Sequence, residues 1–122
     1  MKDITYLTDH YQEKIDAINK FQAPLNFLFI TDPHNRMNEF SVREGRVRGM
    51  TEYEHAVDAA GSIQYILDRC PDIRMVINGG DIGNDYHPDP EVIRKSQREY
   101  MDALYALSVP VYSCVGNHDY SL

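Results

Sequence analysis

Three short strings carry the residue types from which a hydrolytic metal site is built: Asp32-Pro33-His34, Gly80-Asp81-Ile82-Gly83-Asn84 and Gly116-Asn117-His118-Asp119. Carboxylates, imidazoles and amide oxygens are the donors divalent cations take up, and a pair of such cations can activate water. In the first string one residue separates the acid from the imidazole. On an extended segment that gap sends both side chains to one side, within reach of a single ion. A polar strand end capping the next turn is the plain alternative for that pair taken alone. In the second string Gly79 and Gly80 let the backbone turn sharply, and Asp81 can give one oxygen to each of two cations. Its alternative is a turn carboxylate that only receives backbone amides. Asn84 is neutral, so it suits orienting a neighbour by hydrogen bond better than holding a cation. The third string is the most specific. Asn117 offers an amide oxygen as ligand, and His118 beside it is free to act as proton donor; a turn histidine at the surface is the alternative.

These strings need elements to position them. Ile4, Leu7, Tyr11, Ile15, Ile18 and Phe21 recur at helical spacing, so residues 1–22 are expected to form an N-terminal amphipathic helix. Leu25 to Thr31 is apolar and aromatic, bounded by Pro24 and Pro33, and is expected as a buried strand. Residues 35–50 show no clean period and are expected as a loop. Thr51 to Glu54 has the form of a capping box, ahead of a helical stripe of Ala56, Ala60, Ile63, Leu67 and Cys70 that Pro71 ends. Ile73 to Ile77 is a second strand. Asp89 and Pro90 open a third helix, expected to bury Ile93, Tyr100, Leu104 and Leu107. Val109 to Val115 is a third strand. Alternation of this kind gives an α/β fold with parallel strands joined by right-handed helical crossovers. Ligands then bind outside the carboxyl ends of the strands, and all three strings fall there.

The chain has 122 residues, 43% hydrophobic and 25% charged, which suits one globular domain or part of one. A net charge of −7 argues against nucleic-acid binding and against acidic membrane surfaces. No stretch approaches a membrane span and the first residues lack an apolar leader, so a cytoplasmic protein is expected. Cys70 and Cys114 both have apolar flanks and are expected as buried reduced thiols.

Taken together, D-x-H, G-D-x-x-[D/N] and G-N-H-[D/E], each after a strand, resemble the calcineurin-like metallophosphoesterase superfamily. The likeness spans about residues 25–119. It implies the first half of a four-layer αββα sandwich and two divalent metal ions (Mn, Fe or Zn). It implies that Asp32 and His34 bind the first metal, Asp81 bridges both, and Asn117 binds the second. It also implies that His118 protonates the leaving group, with Asn84 standing where the family often has an aspartate that orients that histidine. The activity implied is hydrolysis of a phosphomonoester or phosphodiester by a hydroxide formed between metals about 4 Å apart. Arg36, Arg43, Arg46 and Arg48 are candidates to grip the phosphate, an ordinary solvated basic loop being the alternative.

The family pattern continues with a lone histidine and then G-H-x-H, which complete both metals, and no such string follows here. His10, His55 and His87 are poor substitutes, since the first two lie in helix patterns. Residues 23–122 are therefore expected to be the N-terminal half of a metallophosphoesterase domain, truncated before the C-terminal histidine motifs. Such a half is expected to expose apolar surface and to self-associate through its sheet edge. The alternative function is a non-catalytic scaffold or subunit that binds metal weakly or pairs with another chain. A flavodoxin-like nucleotide module is disfavoured, because no glycine-rich phosphate loop opens any helix.

Overall fold

The apolar runs pair as a parallel sheet in the order β1 (Asn26–Ile30), β4 (Ile73–Asn78), β5 (Val111–Ser113). Three helices accompany it: α1 (Thr8–Lys20), α2 (His55–Leu67) and α3 (Pro90–Tyr105). The computed structural model describes residues 8–21, 23–35, 41–43, 46–48, 55–83 and 89–120. This is the α/β fold expected from the sequence. The start of the first helix pattern and the Thr51–Glu54 capping box lie outside the described residues.

Each helix has a local cause. Asp89 sits in extended backbone and its Oδ1 accepts the Glu91 N–H at 2.9 Å, with Pro90 opening the first turn of α3. The same helix buries Ile93, Tyr100 and Leu104; Leu107 lies past its end and is half-buried. On α2, Ile63 and Leu67 are buried, and Cys70 follows at the same spacing ahead of Pro71. Along α1 only Ile15 is buried, and Phe21 stands out in solvent beyond the helix end.

Sequential strand order has a consequence for the faces. Right-handed crossovers that always step in the same direction put every connecting helix on one side of the sheet. That side holds the core. Ile15, Ile63, Leu67, Ile73, Val76, Tyr100 and Leu104 form one buried cluster, with Leu28, Ile30 and Val111 packed against it. Each such side chain contributes about 2 kcal/mol on leaving water. Strand registers place Phe27 beside Met75, and Ile77 between Phe29 and Tyr112. These residues point the other way by the alternation of a strand, and Phe27, Phe29 and Tyr112 are 48%, 60% and 58% exposed. The uncovered face therefore carries aromatic side chains, and β1 is covered on one face only rather than being the buried strand expected over Leu25 to Thr31.

Two further expectations are corrected. Residues 35–50 are not simply a loop: β2 (Ser41–Arg43) and β3 (Arg46–Arg48) pair antiparallel, Val42 opposite Val47. The β-branched pair favours a strand. Cys114 is exposed, whereas Cys70 is buried, and both thiols are free. Cys114 and its apolar neighbour Val115 lie just past the edge strand β5 and are both exposed.

Burial of the Tyr100 hydroxyl raises its pKa to about 12 from 10.0. Above pH 10 the unfolded chain loses that proton while the folded chain keeps it, so stability falls as pH rises through the folded value. Urea midpoints measured between pH 9 and about 12 should drop for the wild-type chain, and Tyr100→Phe should flatten that slope.

Candidate metal centre

The tips of β1 and β4 continue side by side after the regular strands end. Gly79 N–H donates to Ile30 O at 2.8 Å, Asp32 N–H to Gly80 O at 3.1 Å, His34 N–H to Asp81 O at 3.0 Å and Asn35 N–H to Ile82 O at 2.8 Å. The first string is thereby laid along the second. Both strings take left-handed backbone to do so: φ is 54° at Asp32, 43° at His34 and 52° at Asp81. Each such residue costs about 1 kcal/mol, least for Asp and similar short polar side chains. The extended geometry assumed for Asp32 and His34 is therefore corrected. Turned backbone still leaves them neighbours, with Asp32 Oδ1 3.9 Å from His34 Nε2.

The third string is brought in by backbone contact. Gly80 has φ 99°, and a Cβ there would lie 2.5 Å from Gly116 N. A Cβ on Gly116 would lie 2.1 Å from Asp81 Oδ1. Glycine at both positions is what lets the tips of β4 and β5 touch. After Gly116 the chain makes one 3-10 turn, Asn117–Asp119, and His118 N–H donates to Asp81 Oδ1 at 3.0 Å. Ile82, buried in the core, anchors the middle string from below.

The result is a group of three donors. His34, Asp81 and His118 each offer a ligand atom, all within 4.8 Å of one another, and all three residues are half-buried. The two imidazole rings meet edge to face with centroids 4.9 Å apart. His34 Nδ1 lies 3.2 Å from Gly83 O. A carbonyl only accepts, so Nδ1 carries the proton and Nε2 keeps its lone pair for a cation. Asp32 stands at the rim, its side chain more than half exposed, with Oδ2 accepting from Thr31 Oγ1 at 2.6 Å. Asn117 is exposed in the same turn as His118. Two imidazoles and a carboxylate are a donor set that fits a first-row divalent ion.

Asn84 and His87 lie outside the described residues, as do Arg36 and the side chains of Arg43, Arg46 and Arg48. An apolar groove of about 330 Å³, lined by Ile18, Phe21, Phe27 and Ile73, sits at the start of β1 and holds none of the three strings.

Sequence reasoning missed several supports. Asn35 is buried, its Nδ2 donating to Ser96 O at 2.8 Å and Ser96 Oγ at 3.1 Å, while Ser96 Oγ–H donates to Asn35 O at 2.7 Å. That pair fastens the first string to α3. Asn78, also buried, accepts the Gly80 N–H at 3.3 Å. The Asp119 carboxylate accepts from Gly83 N–H at 2.8 Å and Gly116 N–H at 2.9 Å. An acid three residues after a turn-opening residue was a readable cue for the Gly116 contact, since it can reach back to that N–H. An asparagine two residues before a turn glycine was a similar cue for the Gly80 contact, whereas nothing local signalled the Asn35–Ser96 pair or the Gly83 contact.

Among known proteins, the profile of the calcineurin-like phosphoesterases matches residues 25–122. Neither a curated protein nor a solved structure matches the chain significantly.

A methyl on Gly116 would meet the Asp81 backbone N at 2.4 Å, whereas the atoms nearest one on Gly79 belong to the side chains of Thr31 and Phe29. Side chains yield more readily than backbone. Urea unfolding should find Gly116→Ala destabilised by about 2 kcal/mol or more and Gly79→Ala by clearly less. Equal losses would mean the tips are not in contact.

Proposed function

The chain belongs to the calcineurin-like phosphoesterase family, and from that premise we propose that it carries the metal-holding and proton-donating groups of a phosphoester hydrolase. The observation that supports this most is the convergence of His34, Asp81 and His118 at the strand tips. In this reading His34 and Asp81 hold divalent cations, Mn, Fe or Zn, with Asp32 at the rim and Asn117 from the neighbouring turn as further oxygen donors. Two ions is the number the resemblance implies. When bound, such cations supply Lewis acidity, neutralising phosphoryl oxygens and acidifying a nearby water.

The chain's own residues do the rest. His34 is held with Nε2 outward by its Nδ1–H···O=C bond to Gly83. Asp81 keeps the His118 backbone in place through Oδ1. His118 Nδ1 is shut off from solvent, which leaves Nε2 to deliver a proton to the departing oxygen of a phosphomonoester or phosphodiester. Asn84, three residues after Asp81 in the sequence, is assigned to orient that imidazole. The bare aromatic sheet face supports reading residues 23–122 as one half of a larger layered domain. The same face favours the second reading, a non-catalytic subunit that pairs with another chain and binds metal weakly.

Calorimetric titration with Mn²⁺ and assays on p-nitrophenyl phosphate and phenyl phosphate separate these readings. His34→Ala should weaken Mn²⁺ binding at least about tenfold. His118→Asn should bind Mn²⁺ nearly as well yet lower kcat about 10²-fold, with the larger loss on phenyl phosphate, whose leaving group needs the proton more. Weak binding without turnover supports the second reading, and no Mn²⁺ binding at all overturns both. Loss of Mn²⁺ in His118→Asn equal to that in His34→Ala would make His118 a ligand and end its role as acid.

A further inference from the structure

We infer that Asp119 is a positioning residue: its carboxylate clamps the loop after β4 to the turn after β5 and so orients both site imidazoles. The inference rests on the metal-site reading above and adds to it a residue that touches neither substrate nor cation.

Three donors from three segments converge on this one carboxylate. Oδ1 accepts the Gly83 N–H at 2.8 Å and the Gln97 side-chain amide at 3.3 Å, and Oδ2 accepts the Gly116 N–H at 2.9 Å. Gly83 then passes the constraint on, because its carbonyl receives His34 Nδ1 at 3.2 Å. Gly116 does the same on the other side. It opens the turn that carries His118, whose N–H reaches Asp81 Oδ1 at 3.0 Å. One anion thus acts on His34 through Gly83 and on His118 through Gly116. Bonds from N–H groups to an ionised carboxylate are about twice as strong as neutral ones. Gln97, from the middle of α3, supplies the third donor. It packs so near Gly83 that a Cβ there would lie 2.4 Å from its Nε2.

Asp119→Asn tests the clamp with almost no change in size. One of the two oxygens becomes an NH₂ group, which must then face either the Gly83 or the Gly116 N–H, donor against donor. Three readouts on the 122-residue chain separate orientation from stability: the ¹⁵N shifts of the His34 ring without metal, Mn²⁺ affinity by calorimetry, and thermal melting by circular dichroism. In Asp119→Asn the His34 ring should lose its Nδ1–H preference and Mn²⁺ affinity should fall about 10- to 100-fold, while the folded spectrum persists. Asp119→Glu, which keeps both oxygens, should recover most of the affinity. A wild-type His34 tautomer together with wild-type Mn²⁺ affinity in Asp119→Asn overturns the inference. Should that variant fail to fold, Gln97→Ala decides: a tautomer shift in the same direction supports the clamp, and a wild-type tautomer overturns it. If the wild-type chain binds no Mn²⁺, the metal reading falls, and the His34 tautomer still judges Asp119 by itself.

Discussion

Everything at the carboxyl end of the sheet depends on how closely the backbone after β4 can approach the backbone after β5. No side chain fits between Gly80 and Gly116, and a Cβ on either would stand within 2.5 Å of the other segment. Only that absence lets Asp81 reach the His118 N–H and share a small volume with two imidazoles. The approach is bought with left-handed backbone at Asp32, His34 and Asp81. Four backbone hydrogen bonds between the first two tips, from the amides of Gly79, Asp32, His34 and Asn35, offset that cost at about 1 kcal/mol each. Local strain is here fixed by a ladder, so the donor atoms are placed before any ligand arrives.

The sheet divides the molecule into a packed side and a bare side, and topology alone decides which is which. Strands added in one direction with one hand of crossover put both crossover helices on the same face. Phe27, Phe29 and Tyr112 therefore stay in water although their neighbours Leu28, Ile30 and Val111 join the core. The site lies at the strand ends, at the boundary of the two sides. Its support from below comes from helices and Ile82, while the bare side leaves Asp32 and Asn117 exposed.

Much of this was legible from the residues. Helix periods, the Asp89 cap and the strand runs each express a local rule, and the three strings fell at strand ends for the same reason. The hairpin was not legible, because three-residue strands give too short an alternation. Cys114 misled because apolar flanks say nothing about which face is covered. The left-handed turn through Asp32 and His34 was hidden, since residue spacing was read on an extended chain. The Asn35–Ser96 pair spans 61 residues and the Gln97–Asp119 contact 22; such partners share no local pattern.

Helix α3 holds both of those partners at consecutive positions. Ser96 grips Asn35, next to His34, and Gln97 meets Asp119, next to His118. A tilt or slide of this one rod therefore carries the two imidazoles in phase rather than apart. Thermal motion that would blur each ring alone leaves their spacing intact, as when two lamps are bolted to the same beam.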